Sequence, residues 1–522
     1  MTESLVTTGL RALFRSRLWV PPGPLVLPRF VREVARGRAN LVTLMGMAAA
    51  RWPDRDAMVD DDGAITYREL HSHVESLATS LQERGVGRGG AVGVLCRNGR
   101  GFVTAVFAAA LTGADVVMLN TEFQKKALAD ALSSHEIGTV ICDAEFAERA
   151  SAAGVGVVDA ASDAVSKGNS RPSVRSAGRI VLLTSGTTGT PKGVPRKPEI
   201  GMALGIGASI LDRTGLRIGS RVAIPVPMFH GLGFGILILT IGLGGTVLTR
   251  SRFVAEAALV QASEHRAEAM AAVPVMLARI LDLDDEVRAR NPLSALRIVI
   301  SSGARLDPTL AKRFMDAYGD IIYNAYGSSE VGIGALATPA DLREAPETVG
   351  RPVVGCAVRI LDDDGKVVGP EQTGRLFVGG DLTFDAYTGG EKRDVVDNMM
   401  DTGDTGYVDT EGRLFIVGRA DDMIVSGGEN VYPRAVENAL AEHPDVADHA
   451  VIGVPDEDYG QRLAAFIVPQ DGATVEEELI RKYLKGKVAR FEQPRDITIV
   501  KTIPRNPAGK VLRNELEPSD RE

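Results

Sequence analysis

The stretch Ile180 to Gly193, I-V-L-L-T-S-G-T-T-G-T-P-K-G, decides how the rest of the chain is read. Ile180 to Leu183 is a short apolar run of the kind that forms a buried strand. It stops abruptly at Thr184, Ser185, Gly186, Thr187, Thr188 and Gly189, followed by Thr190, Pro191 and Lys192. A row of hydroxyls, glycines that let backbone N–H groups approach a ligand, and one lysine together suit a polyphosphate anion, here read as a nucleoside triphosphate. A Walker A loop would need Ser or Thr directly after Gly-Lys and a helix springing from that point. Here Gly193 follows the lysine, and Pro191 removes a backbone donor where that helix would begin. On composition alone, a Ser/Thr/Gly-rich surface turn is the plainer alternative.

Working outward, 522 residues exceed one comfortable core and should divide into at least two domains. Hydrophobic residues at 44% and charged residues at 24% are ordinary for a globular protein, and a net charge of −9 argues against a nucleic-acid partner. Cys96, Cys142 and Cys356 form no CxxC pair or His/Cys cluster, which fits reduced thiols in a cytoplasmic protein. Near the N-terminus the apolar run Leu18 to Pro28 is interrupted by Pro21, Pro22, Gly23, Pro24 and Pro28, so it supplies neither a signal-peptide core nor a membrane span. Val6, Leu10, Leu13, Phe14 and Leu18 fall at helical spacing, with Arg11 and Arg15 beside them and Arg29, Arg32, Arg36 and Arg38 following. A peripheral membrane-surface helix within residues 1–38 is one reading; an amphipathic helix docked on its own domain is commoner and preferred.

From Leu41 to Ser173 helical and strand patterns alternate: Tyr67 to Arg84 helix, Ala91 to Cys96 strand, Phe102 to Gly113 helix, Ala114 to Leu119 and Thr139 to Cys142 strands. That alternation implies a mostly parallel, doubly wound sheet. After Ala223 to Gly235, A-I-P-V-P-M-F-H-G-L-G-F-G, a further α/β repeat runs from a helix at Val273 to Leu281 through a strand at Leu296 to Ser301. It continues into S-S-G-A-R-L at 301–306 and I-I-Y-N-A-Y-G-S-S-E at 321–330. Small-residue turns at strand ends fit an adenine slot at the carboxyl edge of a sheet, although Y-G-S-S-E alone also reads as a helix N-cap. Beyond Thr348, short glycine-spaced strands indicate a small β-barrel or sandwich containing D-T-G-D at 401–404. A glycine-rich hairpin at 418–433 then opens a compact α+β unit that closes with I-P-R-N-P-A-G-K-V-L-R at 503–513.

In this order the stretches resemble the adenylate-forming (ANL) superfamily, and within it the AMP-forming fatty acyl-CoA synthetases, over roughly residues 41 to 515. The resemblance implies an α/β protein with an N-terminal extension, 1–40, and a large domain, 41–420, of two doubly wound α/β subdomains plus a small β-barrel. A small mobile α+β C-terminal domain, 421–522, would follow, hinged at Asp421.

It implies an ATP site of Thr184, Ser185, Gly186, Thr187, Thr188, Gly189 and Lys192, with Gly303 and Ala304 on one face of adenine, Tyr326 on the other, and Asn324 near the base's amino group. Ser329 would lie near the α-phosphate, with Gly327 and Ser328 also in the ATP site, Asp404 and Arg419 at the ribose, and Glu330 with Thr184 at Mg²⁺. Lys510 matches the catalytic lysine, against the simpler reading of an exposed basic tail. Met400, where the family usually has an aromatic, implies altered packing, and Ala508 stands where threonine is common.

A lone histidine is usually structural, but His230 matches the carboxylate site of the family. Gly231, Gly233 and Gly235 would either leave room for an acyl tail or permit close helix packing, while Gly427 and Gly428 match the loop that reaches the coenzyme A channel.

The implied reaction converts a carboxylic acid and ATP to acyl-AMP and pyrophosphate, then to the coenzyme A thioester. No acidic residue lies in Met228 to Gly235 to pair an amino acid's ammonium, so an uncharged acyl chain is expected. A medium- or long-chain fatty acid comes first, with an aryl or short branched acid, or a carrier-protein acceptor, as alternatives. A cytoplasmic enzyme, compatible with a homodimer, is the remaining expectation.

Overall fold

In the computed structural model the apolar run Ile180–Thr184 is a strand, one from the edge of a six-stranded sheet. The order is Gly156–Asp159, Ile137–Cys142, Ala91–Leu95, Asp115–Met118, Ile180–Thr184, Lys192–Arg196. All neighbours are parallel except the last pair, where Thr184 faces Lys192 in an antiparallel ladder. An antiparallel strand therefore follows the Thr/Gly-rich segment where a Walker loop would have started a helix. The structure describes residues 4–20, 26–28, 30–31, 33, 41–161, 178–184, 192–196, 200–362, 364–380, 388, 394–419, 424–426, 429–431, 433–456, 460–485, 487–488, 492–506 and 509–516, with backbone alone at some element ends, Thr184 and Lys192 among them.

Local signals explain the flanking helices. Helix Tyr67–Glu83 opens on a capping box: the Glu69 N–H donates to Thr66 Oγ1 at 3.2 Å and the Thr66 N–H to Glu69 Oε2 at 2.9 Å. Helix Arg100–Thr112 is apolar on nearly every side and is correspondingly swallowed by the core, with Phe102 and Phe107 fully buried. Each such side chain contributes about 1.5–3 kcal/mol by leaving water.

The second sheet has fourteen strands. Its parallel centre is Thr246–Leu248, Arg221–Ala223, Ala269–Ala272, Ile298–Ser301 and Ile322–Ser328. Strand Asp56–Asp60, with its hairpin partner Gly63–Thr66, joins this sheet, Met58 facing Val247, although the next strands along the chain build the first one. At the other end the antiparallel strands expected as a small barrel are continuous with the α/β sheet, because Thr348–Pro352 pairs with both Gly332–Ala337 and Leu414–Arg419. One hydrophobic core, from Ala12 to Val353, runs through both α/β sheets. Met400 is buried there against the neighbouring core of Val331, Ile360, Leu376 and Leu414, so its departure from an aromatic is a matter of packing.

A third sheet lies within the last hundred or so residues: Ile424–Ser426, Glu429–Val431, Val446–Asp456, Gly460–Pro469 and Asp496–Ile499. With helices Pro433–Ala441 and Glu477–Leu484 it has cores of its own, the α+β unit expected there. At the opposite end of the chain, helix Leu5–Ser16 docks on helix Ile200–Thr214. The docked reading holds, but the buried side is Thr8, Ala12 and Ser16, and the apolar stripe faces outward. Among the described residues no helix is long and apolar enough to cross a membrane. Cys96 and Cys142 are buried, Cys356 half-buried, and all three are free thiols.

Candidate active site

The site is assembled where parallel strands of the second sheet reach their carboxyl ends. Strand Ile298–Ser301 ends in a turn in which Gly303 adopts a φ of 85°, a left-handed conformation that glycine takes without strain. Ala304 is half-buried beside it, and helix Pro308–Tyr318 then starts on Asp307, whose carboxylate accepts the N–H groups of Thr309 and Leu310 at 2.8 and 3.2 Å.

The adjacent strand Ile322–Ser328 does not lead into a helix. It turns back as Gly332–Ala337, so the helix N-cap reading of Y-G-S-S-E is excluded. The hairpin closes so tightly that a Cβ on Gly327 would come within 2.0 Å of the Gly332 carbonyl oxygen. Along this strand Asn324 is buried and its Nδ2 donates to the Thr348 carbonyl at 3.2 Å. The Tyr326 hydroxyl donates to the Asp404 carboxylate.

Asp404 faces Arg419 directly across an antiparallel ladder, with Arg419 Nη1 3.5 Å from Asp404 Oδ1. Burial, and next the Asp404 charge, push the Tyr326 phenol well above its ordinary value, so it stays a neutral donor. Tyr326, Asp404 and Arg419, three separate sequence expectations, thus meet at one place.

On the phosphate side, Ser185, Gly186, Thr187, Thr188 and Gly189 lie outside the described residues, and Thr184 and Lys192 are described by backbone alone. Two pleats beyond Lys192, Arg196 reaches across to the hairpin: its guanidinium donates to the Ser329 carbonyl at 2.5 Å and interacts with Glu330. Burial lowers Arg196 to about 10, and the Glu330 charge works against that fall. Arg196 was missed in the sequence; its only signal was that it shares a strand face with Lys192. The Glu330 N–H donates to Ser328 Oγ at 3.2 Å, and its carboxylate is a single hard oxygen donor of the kind Mg²⁺ uses alongside phosphates and water. That donor chemistry fits the ion.

The acid side is built on Pro225 to His230. Asn98, from the first sheet, stitches this segment down, its Nδ2 donating to the Val226 carbonyl and its Oδ1 accepting the Met228 N–H, both at 2.8 Å. His230 then precedes helix Gly231–Gly242, its ring 4.5 Å from that of Phe229. Its Nε2 is sealed from solvent with no hydrogen-bond partner among the described residues, and burial lowers the imidazole to about 4, so it is neutral at physiological pH. A Cβ on Gly233 would stand 2.4 Å from the Pro227 carbonyl oxygen, so that glycine serves close packing. Among the described residues, Gly235 has nothing within 4 Å and Gly231 meets only Leu182 Cδ1 at 4.0 Å.

The small domain contributes Lys510. It sits on a tight turn, not a loose tail: the Lys510 N–H donates to Asn506 Oδ1 and the Asn506 N–H to the Lys510 carbonyl, both at 2.9 Å. Arg505 braces the turn through the Gly509 carbonyl and Asp448. Gly509 is buried, and a Cβ there would lie 3.1 Å from Val275 and 3.3 Å from Val273, so the turn rests just past the carboxyl end of strand Ala269–Ala272. Nearby, Arg305 donates to Asn438 of the small domain, whose Nδ2 donates to Glu347 Oε1 at 2.8 Å. Arg434, also unforeseen, is half-buried, and desolvation lowers it to about 10, with the Arg305 charge next. Asp421, Gly427 and Gly428 lie outside the described residues.

Comparison with known proteins shows the family and the overall fold. The family model for AMP-binding enzymes matches residues 46–388, and that for the AMP-binding enzyme C-terminal domain matches 435–510. The chain is 31% identical over 473 residues to the 2-succinylbenzoate–CoA ligase of Bacillus cereus (strain ATCC 14579), covering 89% of this chain and 95% of that protein. The enzyme of that name from Bacillus anthracis (strain A0248) matches to the same extent, at 31% identity over 473 residues and 89% and 95% coverage. Among solved structures, the o-succinylbenzoate CoA synthetase of Bacillus subtilis in complex with its acyl-adenylate intermediate superposes with a TM-score of 0.82 at 27% identity, covering 91% of this chain and 98% of the other. An anthranilate CoA ligase in complex with anthranoyl-AMP gives 0.82 at 25% identity, with 91% and 96% covered.

Proposed function

The chain belongs to the AMP-binding enzyme family, and on that premise we propose that it is an AMP-forming ligase joining an aromatic carboxylic acid to coenzyme A. ATP and coenzyme A are its co-substrates and Mg²⁺ its metal ion. The observation that carries this reading is the seating of the Lys510 turn, from the far end of the chain, with Gly509 against Val273 and Val275, in the sheet whose neighbouring strands carry Gly303 and the Tyr326–Asp404 pair.

The acid is where the reading departs from the first expectation. A fatty acid gives way to an aryl acid of the succinylbenzoate kind, the alternative already open. The relatives that match over most of the chain carry that name, and His230 supports it. A neutral imidazole with a sealed, unpartnered nitrogen beside the acyl wall costs free energy unless the substrate supplies a polar group, such as a ring carboxylate or a keto oxygen. A plain alkyl chain supplies none.

In the reaction, a carboxylate oxygen attacks the α-phosphorus of ATP, the bond to the bridging oxygen of the β-phosphate breaks, and pyrophosphate leaves. Asp404 and Arg419 would orient the ribose, Tyr326 and Gly303–Ala304 would sandwich adenine, and Thr184 to Lys192 would hold the β- and γ-phosphates. Lys510 would neutralise the charge that gathers between carboxylate and α-phosphate. Glu330 with Thr184 would hold Mg²⁺, which supplies charge neutralisation at the phosphates. In the second half the thiol sulfur of coenzyme A, having lost its proton, attacks the acyl carbon and AMP departs. Rotation at Asp421 would withdraw Lys510 and bring Gly427 and Gly428 toward the thiol's channel.

Release of pyrophosphate and AMP with a panel of succinylbenzoate, benzoate, anthranilate and C8–C16 fatty acids, with and without coenzyme A, tests the reading. Aryl acids should be turned over first, with thioester formed only when coenzyme A is present. Turnover of fatty acids alone would restore the earlier expectation, and release of ADP and phosphate would overturn the mechanism.

A further inference from the structure

Helix Leu5–Ser16 meets the body of the protein in an unusual sense. At 100° per residue its positions Val6, Leu10, Leu13 and Phe14 share one stripe, while Thr8, Ala12 and Ser16 share another. Packing would ordinarily bury the first stripe. Here the second is buried, and Val6, Leu10, Leu13 and Phe14 are 69, 63, 45 and 75% exposed.

The orientation is held by specific contacts. Arg11 Nε lies 3.0 Å from Asp212 Oδ2, Arg15 pairs with the same carboxylate at 3.5 Å, and the Ile218 N–H donates to the Ser16 carbonyl at 3.0 Å. The apolar surface continues past the helix to Trp19, 61% exposed, which stacks on Phe14 with ring centroids 6.4 Å apart. A scatter of single exposed apolar residues needs no explanation, but a continuous stripe does.

We propose that this stripe is a docking surface for an anionic lipid bilayer, on which the enzyme lies peripherally with the helix parallel to the membrane plane. Charge selects that occupant. Residues 1–40 carry seven arginines against two glutamates, +5 within a chain whose total is −9. Arg11 and Arg15 flank the stripe on one side and Arg17 caps the helix at its end, and their side chains remain largely exposed even where Asp212 pairs with Arg11 and Arg15. A second copy of the chain would bring those cationic rims together, whereas acidic headgroups neutralise them while acyl chains receive the leucines and Phe14. Trp19, with an apolar ring and one N–H, suits the boundary between the two.

The test uses the full-length protein and vesicles of phosphatidylglycerol mixed with phosphatidylcholine, with pure phosphatidylcholine as control. The wild type should co-sediment with the anionic vesicles, weakly with the neutral ones, and less as salt rises. The double variant Leu10→Glu/Phe14→Glu should bind about tenfold less or weaker, with unchanged thermal unfolding and unchanged ligase activity in solution, since both side chains point away from the body of the protein. Equal binding by wild type and variant, or no binding to anionic vesicles, overturns the proposal. So does light scattering that finds a wild-type dimer which the double variant dissociates without any lipid effect. Arg17→Glu, which removes charge and leaves the stripe intact, should lose binding at low salt and little at high salt.

Discussion

Lys510 and His230 divide the candidate chemistry between them, and each makes a separate claim. Lys510 is presented on a turn closed by Asn506 and Arg505, so its substitution should leave the fold alone. Lys510→Ala is expected to slow acyl-adenylate formation by about a hundredfold or more, yet to spare thioester formation from supplied acyl-adenylate. Equal loss of both half-reactions in a folded variant would contradict that division.

His230 makes a claim about pH. Its folded value, about 4, lies below the ordinary 6.5, so between these values the unfolded chain binds more protons than the folded one. The associated stability is complete above about pH 6.5 and is lost as pH falls toward 4, by roughly 3 kcal/mol in all. Urea unfolding at pH 5 and pH 7 should show that difference shrink in His230→Gln. The same variant should raise KM for the acid about tenfold with little change in KM for ATP. The identity of His230 as a site candidate was readable from its motif; its lack of a partner was not, since that depends on Asn98 and Phe229 fixing the loop around it.

Helix Gly231–Gly242 and hairpin Ile322–Ala337 show how far local pattern reaches. The glycine spacing of the helix was compatible with a channel wall or with close packing, and the structure shows close packing at Gly233, with Gly231 and Gly235 not pressed by any described neighbour. Gly233→Ala should cost about 1–3 kcal/mol, because the Pro227 carbonyl must move. Gly235→Ala should be neutral or stabilising by up to about 1 kcal/mol, and thermal unfolding of the pair distinguishes the roles. For the hairpin, Y-G-S-S-E carries the composition of a helix cap, and the competing strand pairing with Gly332–Ala337 won because the glycines at 327 and 332 allow the two backbones to approach. That contest is between a local cap and a partner strand a few residues on, and composition cannot rank the two.

The large and small domains are joined in this arrangement by Arg305, Asn438 and Glu347 as well as by Gly509 on Val273. If this seating is the adenylate-forming one, Asn438→Ala should slow that half-reaction several-fold while leaving thioester formation from supplied acyl-adenylate unchanged or faster. Asp421→Pro should do the converse, retaining pyrophosphate release and losing the thioester step. Measuring the two half-reactions separately decides both, and an unimpaired thioester step in Asp421→Pro would remove the hinge from that position.

Read without coordinates, the chain already revealed its α/β character, the order of its chemical stretches, the α+β nature of its last hundred or so residues and the family to which those stretches belong. Each of these rests on contiguous residues, whose periodicity and turn chemistry are local properties. The merging of the expected barrel into a fourteen-stranded sheet, the loan of Asp56–Asp60 to a distant sheet, Arg196 against Glu330 and the outward stripe of Leu5–Ser16 were invisible there. They depend on which surfaces meet after collapse, and a helix with two usable faces, or a strand with two available edges, does not encode in its own pattern which of them finds a partner.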